Sequence, residues 1–373
     1  MKSSSGNYYI GLDHVRALAA FLVFSTHFVQ VGEGHYMPPP IFPLSFLTEG
    51  QTGVALFMTL SGYLFAKLLE GKSIRYPAFF WNRFIRLAPL LAIVTVLTGI
   101  QAAFRGADMA AYWKAVAQGF VMPTWPNGGW SIATEFHFYL LLPILLLICR
   151  KDPKNLLYVV AGSIVLRAVF WALLGEVQGL SYWTIVGRID QFVFGILGYH
   201  FRALFVGRHR RAMVVLLAFT GFYYYYDLLG GFYLNPSYPS PHSLWIYMPA
   251  VEGVSYAALI AWYDGSFKHS EGRISKAIAL IGTCSYSIYL FHFFIVYRLS
   301  TRIHENVVDL SNIYVAFALL PFAFLLMVPV GYASFRWLEK PFLRFRTRYT
   351  DKKEPDVPPV SGSGLTPVVK PGE

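Results

Sequence analysis

Apolar residues run along the chain in about ten blocks, near residues 8–31, 50–69, 86–104, 130–149, 155–175, 183–206, 211–229, 244–263, 277–299 and 311–337. Each block is long enough for a helix that crosses a bilayer. The polar stretches between them alternate in kind. Connections at 67–86, 150–154, 202–211 and 268–276 carry most of the basic residues, among them Lys72, Arg75, Arg150, Lys154, Arg208, Arg210 and Lys276. The opposite connections carry Arg105, Lys114, Arg298 and Arg302. The positive-inside rule puts the first set in the cytoplasm, and an even number of spans puts both termini there too. The predicted fold class is all-α: a polytopic integral membrane bundle of about ten transmembrane helices, residues 1–349 forming one membrane domain. Residues 350–373, rich in Pro, Gly, Ser and charge, read as a disordered cytoplasmic tail.

Composition supports the same class. The chain of 373 residues is 55% hydrophobic and 14% charged, where a soluble domain is nearer a quarter charged. The net charge of +11 follows the topology pattern, so it does not imply nucleic-acid binding. Met1 to Asn7 lead into the first block with no small-residue cleavage site, so that block is expected to stay as the first span. Cys149 and Cys284 suggest neither a disulfide framework nor a zinc site, and no metal is predicted. The loops "GEGHYMPPPIFPLSF", "VMPTWPNGGW" and "GFYLNPSYPSPHS" suit either the lining of a wet outer cavity or an interfacial belt.

Ionisable residues inside apolar blocks are the candidate chemistry, because each is costly there without a partner or water. In "LDHVRALAAFLVFSTHF", Arg16 and His27 lie eleven positions apart. That is close to three helical turns, so both side chains share a face roughly 16 Å apart along the axis. Asp13 sits one turn before Arg16, in reach of an ion pair. His27 has the titration range of a general base; the plainer readings are an anchoring arginine and a packed histidine. In "FWNRFIRLAPLL", Arg83 and Arg86 share a face, and paired guanidiniums suit phosphate as well as topology. In "GGWSIATEFHFYLLLP", Ser131, Glu135 and Tyr139 follow Trp130 on one face. Ser61-Gly62-Tyr63 offers a close helix approach. Arg188 and Asp190, two apart, each need a separate partner. "GTCSYSIYLFHFF" adds Tyr286 and His292, and "RWLEKPFLR" closes the final block.

In this order the segments resemble the membrane-bound acyltransferase 3 family of carbohydrate O-acyltransferases. Arg16 and His27 match its Arg–ten residues–His pattern. "LFMTLSGYL", "RFIRLAP", "WSIATEFHFYL", "CSYSIYLFH" and "LEKP" look like its other motifs, from about Leu12 to Pro341. The resemblance implies transfer of an acyl group, most often acetyl, from cytoplasmic acyl-CoA to a hydroxyl of an extracytoplasmic glycan or lipid-linked sugar. It implies catalytic roles for Arg16, His27 and Glu135, and CoA binding by Arg83 and Arg86. Asp13, Ser61, Tyr63, Trp130, Ser131, Tyr139, Arg188, Asp190, Tyr286 and His292 are expected to support the site. Leu90 and Leu91 stand where aromatic residues are common in the family. No hydrolase-like domain follows, so the chain is expected to finish the transfer itself or pass the acyl group to a separate periplasmic partner. The expected location is a bacterial inner membrane. A multi-span transporter of a small polar or acidic solute is the alternative, although no internal repeat of the kind common in transporters stands out.

Overall fold

The computed structural model describes residues 9–30 and 41–352. The polar start, residues 31–40 of the first long loop and the tail from residue 353 lie outside the described residues. The described chain is almost entirely helical. In order the helices are α1 (Ile10–Phe28), α2 (Ser45–Thr48), α3 (Thr52–Leu69), α4 (Tyr76–Phe104), α5 (Met109–Gln118), α6 (Gly129–Lys151), α7 (Leu156–Leu174) and α8 (Gln178–Trp183). They continue as α9 (Ile185–His200), α10 (His209–Leu228), α11 (Gly231–Leu234), α12 (Met248–Ser266), α13 (Arg273–Thr283), α14 (Ser285–Asn306) and α15 (Ile313–Ser334). A short antiparallel ribbon pairs β1 (Lys72–Ile74) with β2 (Thr350–Lys352), with Ser73 opposite Asp351.

Every apolar block carries a helix, with four differences from the expected pattern. Among the described residues, five helices are long and apolar enough to cross a membrane, or six if the bent pair α13–α14 counts as one; the other helices fall short by length or polarity. Helix α4 starts at Tyr76, ten residues before the expected block, because Pro77 sits in its first turn, where a missing N–H costs little. The ninth block is two helices that meet at 69° at Cys284. The expected tail also differs: its first residues form β2 and pair with β1.

The packing is that of a bundle with many large apolar side chains on its exterior and several charged ones buried inside. Leu97, Val165, Leu173, Val214, Phe322 and Leu326 face outward, while Arg167, Arg188, Asp190 and Glu252 are buried. Helix α9 packs between α3 and α12. Gly62 makes that contact possible: a Cβ there would sit 2.0 Å from the Phe192 carbonyl oxygen. A second cluster joins α1 to α14 and α15 through Phe24, Ile288, Leu320 and Met327.

Candidate active site

Helix α1 runs between two chambers. The first, at its Arg16 end, is lined by Arg16, Ser61, Arg83, Arg86, Ser131, Glu135, Tyr139 and Tyr286, with Phe57, Met58 and Phe65 as apolar wall. Arg16 is ion-paired with the buried Asp13 one turn earlier. Arg83 lies over the rings of Phe65, Phe79 and Tyr349, and its Nη2 reaches the Tyr349 hydroxyl at 3.4 Å. The Tyr139 hydroxyl donates to Glu135. Three guanidiniums therefore face one cavity, with one carboxylate on its wall and another holding Arg16. Such a set fits a ligand with several phosphate charges, because forked N–H donors match phosphate oxygens. The break between α13 and α14 lies beside Ser285 and Tyr286, which line this chamber. Interrupted backbone at membrane depth is tolerated where it borders a cavity.

The second chamber, at the other end of α1, is aromatic. His27 opens into it beside Gln30, Gln51, Trp130, Tyr182, Trp183, Phe232, Tyr233 and Tyr297. The Tyr297 hydroxyl lies 2.7 Å from His27 Nδ1, so Nε2 is the nitrogen left for a ligand. The His292 ring lies 5.2 Å from that of His27. His292 Nδ1 is bonded to the Tyr289 carbonyl oxygen at 2.5 Å, and among the described residues its buried Nε2 has no partner.

Val54 and Tyr289 belong to the walls of both chambers. The Tyr289 hydroxyl meets Ser131 Oγ at 2.9 Å and donates to the Gly128 carbonyl at 3.1 Å. Gly128 must be glycine here: its φ is +75°, and a Cβ would sit 2.7 Å from that hydroxyl. Arg16 and His27 thus occupy one helix as expected, but they serve adjoining chambers rather than a single cavity. Glu135 faces the guanidiniums, away from the His27 chamber.

Other expected site residues line neither chamber. Asp190 is paired with Arg167 of α7 at 2.6 Å, both fully buried. Arg188 donates to the Tyr182 carbonyl at 2.8 Å, approaches Glu252 at 3.5 Å, and lies 4.3 Å from the Tyr182 ring centre. It backs the aromatic chamber from behind. Tyr63 points to α12, donating at 2.8 Å to Asp264, which also pairs with Lys67.

Tyr297 and Arg346 were not anticipated. The i, i+4 spacing of Tyr289, Phe293 and Tyr297 was the available signal for Tyr297. Arg346 arrives on a C-terminal strap stitched to the start of α4. Asn82 donates to the Thr347 carbonyl at 2.6 Å and accepts from its N–H at 2.9 Å, and Arg75 N–H donates to the Tyr349 carbonyl at 2.9 Å. Burial and the neighbouring Arg86 and Arg83 pull the Arg346 guanidinium down to about 9, which adds a fourth cation to the basic end. Glu339, on the π-helical turn that ends α15, accepts from Ser287 and ties α15 to α14.

Two adjoining chambers, one cationic and one with a histidine among rings, lie in a bundle whose long apolar helices suit a membrane protein. The profile of the acyltransferase domain family matches residues 9–333; the chain belongs to that family. It is 26% identical over 394 residues to the peptidoglycan O-acetyltransferase OatA of Listeria monocytogenes, covering 93% of this chain and 58% of that protein. It is 26% identical over 329 residues to the O-acetyltransferase OatA of Staphylococcus aureus, covering 78% of this chain and 51% of that protein. The chain therefore spans little more than half the length of these relatives. No solved structure matches it.

Proposed function

We propose that the chain is a membrane O-acyltransferase, most simply an O-acetyltransferase, that moves an acyl group from cytoplasmic acyl-CoA to a hydroxyl of an extracytoplasmic glycan. The observation that carries the reading is the shared wall of Val54 and Tyr289 between a cationic chamber and a histidine-bearing aromatic one. In this reading the chain crosses the membrane ten times, α13–α14 forming one bent crossing, with both termini in the cytoplasm. Arg83 and Arg86, helped by Arg16, hold the phosphates of the donor. The acyl thioester reaches the shared wall. The acceptor sugar stacks among Trp130, Tyr182 and Trp183.

His27 then acts as general base through Nε2. For Nε2 to accept a proton, Nδ1 must carry one and donate it to the Tyr297 oxygen. The hydroxyl oxygen bonds to the acyl carbon, the carbon–sulfur bond breaks, and the proton returns from His27 to the thiolate. The names of the relatives support a glycan of the cell wall as the acceptor class. The test places purified protein in liposomes with acetyl-CoA on one side and a soluble cell-wall saccharide on the other. Base-labile ester should form only when the donor is on the Arg83 side. Ester formed equally from either side would end the two-sided mechanism. Movement of a solute without thioester cleavage would favour a transporter.

A further inference from the structure

Basic residues are scarce at the end of the bundle that holds His27, yet two of them meet. Helix α4 has 29 residues, roughly 43 Å at 1.5 Å per residue, so Arg105 just beyond it lies across the bilayer from Arg83. There it meets Arg298 of α14. With the Gln101 amide turned so that its oxygen faces them, that oxygen would accept from Arg105 Nη2 and Arg298 Nη2 at 3.0 Å each. Among the described residues no carboxylate pairs with either guanidinium. Two exposed cations facing one neutral atom repel each other, weakly where water screens them, and an anion between them turns that repulsion into attraction.

The same arginines cap a cleft between α4 and α14 that is open along its side. Its walls are Leu97, Ile100, Phe104, Phe291 and Phe294. Phe104 is 89% exposed. An apolar slot closed at its polar end by two guanidiniums matches an apolar chain joined to a phosphate. Helix α14 relates the cleft to the chemistry: Phe294 and Arg298 line the cleft, while the preceding residues Phe293 and Tyr297 line the His27 chamber. A phosphate on Arg298 would place a sugar attached to it one helix away from the acceptor chamber.

We propose that this cleft is the binding site of a phosphate-bearing lipid that carries the acceptor sugar, the phosphate on Arg105 and Arg298 and the apolar chain along α4 and α14. This rests on the two-sided transferase reading and narrows its acceptor to a lipid-linked glycan. Native mass spectrometry of the full chain in detergent, titrated with polyprenyl phosphate, phosphatidylglycerol or phosphatidylcholine, tests it. Polyprenyl phosphate should bind about tenfold or more tightly than phosphatidylcholine, and more tightly than phosphatidylglycerol. The double variant Arg105→Gln/Arg298→Gln should lose that preference, and Arg105→Lys/Arg298→Lys should keep most of it. Both side chains are exposed, so size-exclusion profiles should match wild type.

Equal binding of phosphatidylglycerol would reduce the cleft to a site for bulk anionic lipid and overturn the proposal. An undiminished preference in the glutamine variant would overturn it too. Because binding needs no turnover, a negative result alongside ester transfer to a soluble saccharide would sink this inference alone. Absence of transfer by wild type to any acceptor would sink the transferase reading instead.

Discussion

The two chambers solve different recognition problems with different side chains. At the basic end, Arg16, Arg83 and Arg86 face the cavity and Arg346 stands behind them. Charge-assisted donors attract a polyanion from water and hold it by its phosphates. At the aromatic end, rings surround a single histidine. Flat apolar faces accept a ligand with little charge, and the few polar groups fix its orientation. Affinity for the donor should therefore depend on salt and charge, and affinity for the acceptor on shape. In the proposed mechanism the contrast divides labour along α1, Arg16 serving donor binding and His27 the chemical step.

The sharpest way to break the comparison is to remove the histidine. His27→Ala should lower ester formation about 10²–10⁴-fold, the usual contribution of a general base, while calorimetric binding of acetyl-CoA stays unchanged. Full acylation by this variant would remove His27 from the chemistry. Next in size, Arg83→Gln or Arg86→Gln should raise KM for acetyl-CoA roughly 10- to 150-fold, since a hydrogen bond to a charged group is worth about 1.5–3 kcal/mol. Steady-state kinetics should show the acceptor KM unmoved. A rise in the acceptor KM instead would reverse the assignment of the chambers.

Tyr297→Phe should reduce kcat roughly 3- to 10-fold, the scale of one hydrogen bond, and move the pH–rate profile because Nδ1 loses its partner. An altered rate with an unmoved profile would mean that Tyr297 only packs. The smallest effect concerns Glu49, between α2 and α3 beside the aromatic chamber. Burial pushes its carboxyl from 4.5 up to about 8, against the hydrogen bond from Gln51. Between those values the unfolded chain has lost the proton that the folded chain keeps, so stability should fall as pH rises through this window. Glu49→Gln should flatten the dependence of Tm on pH in detergent, measured by scanning fluorimetry.

Much of the fold was legible because apolar blocks and helices coincide. The break at Cys284 was hidden, since the apolar block resumes directly beyond it and the one glycine nearby, Gly282, also serves helix packing, a Cβ there lying 1.8 Å from the Asp13 carbonyl oxygen. The early start of α4 was hidden by the mixed polar and aromatic character of "YPAFFWNRFI". Within the site, Arg16, Arg83, Arg86, Ser131, Glu135 and Tyr139 gather because each lies at helical spacing from a neighbour in its own segment. Asp190, Arg188 and Tyr63 turn away from both chambers for the opposite reason. Their partners Arg167, Glu252 and Asp264 are on other helices, and one-dimensional spacing carries no information about them. Arg346 was obscured in the same way: in the sequence it is one of several basic residues, and only the strap along α4 brings it to Arg83 and Arg86.

The wall of Val54 and Tyr289 has a consequence for the cell that hosts the protein. A water-filled tube through the bundle would let protons and small ions run down the membrane potential at every turnover. In the two-sided reading proposed above, the shared wall of Val54 and Tyr289 would keep the bundle closed to ions and open only far enough for the hydroxyl to reach the thioester. Substituting small residues at Val54 and Tyr289 would therefore register first as ionic conductance, before any change in the product made.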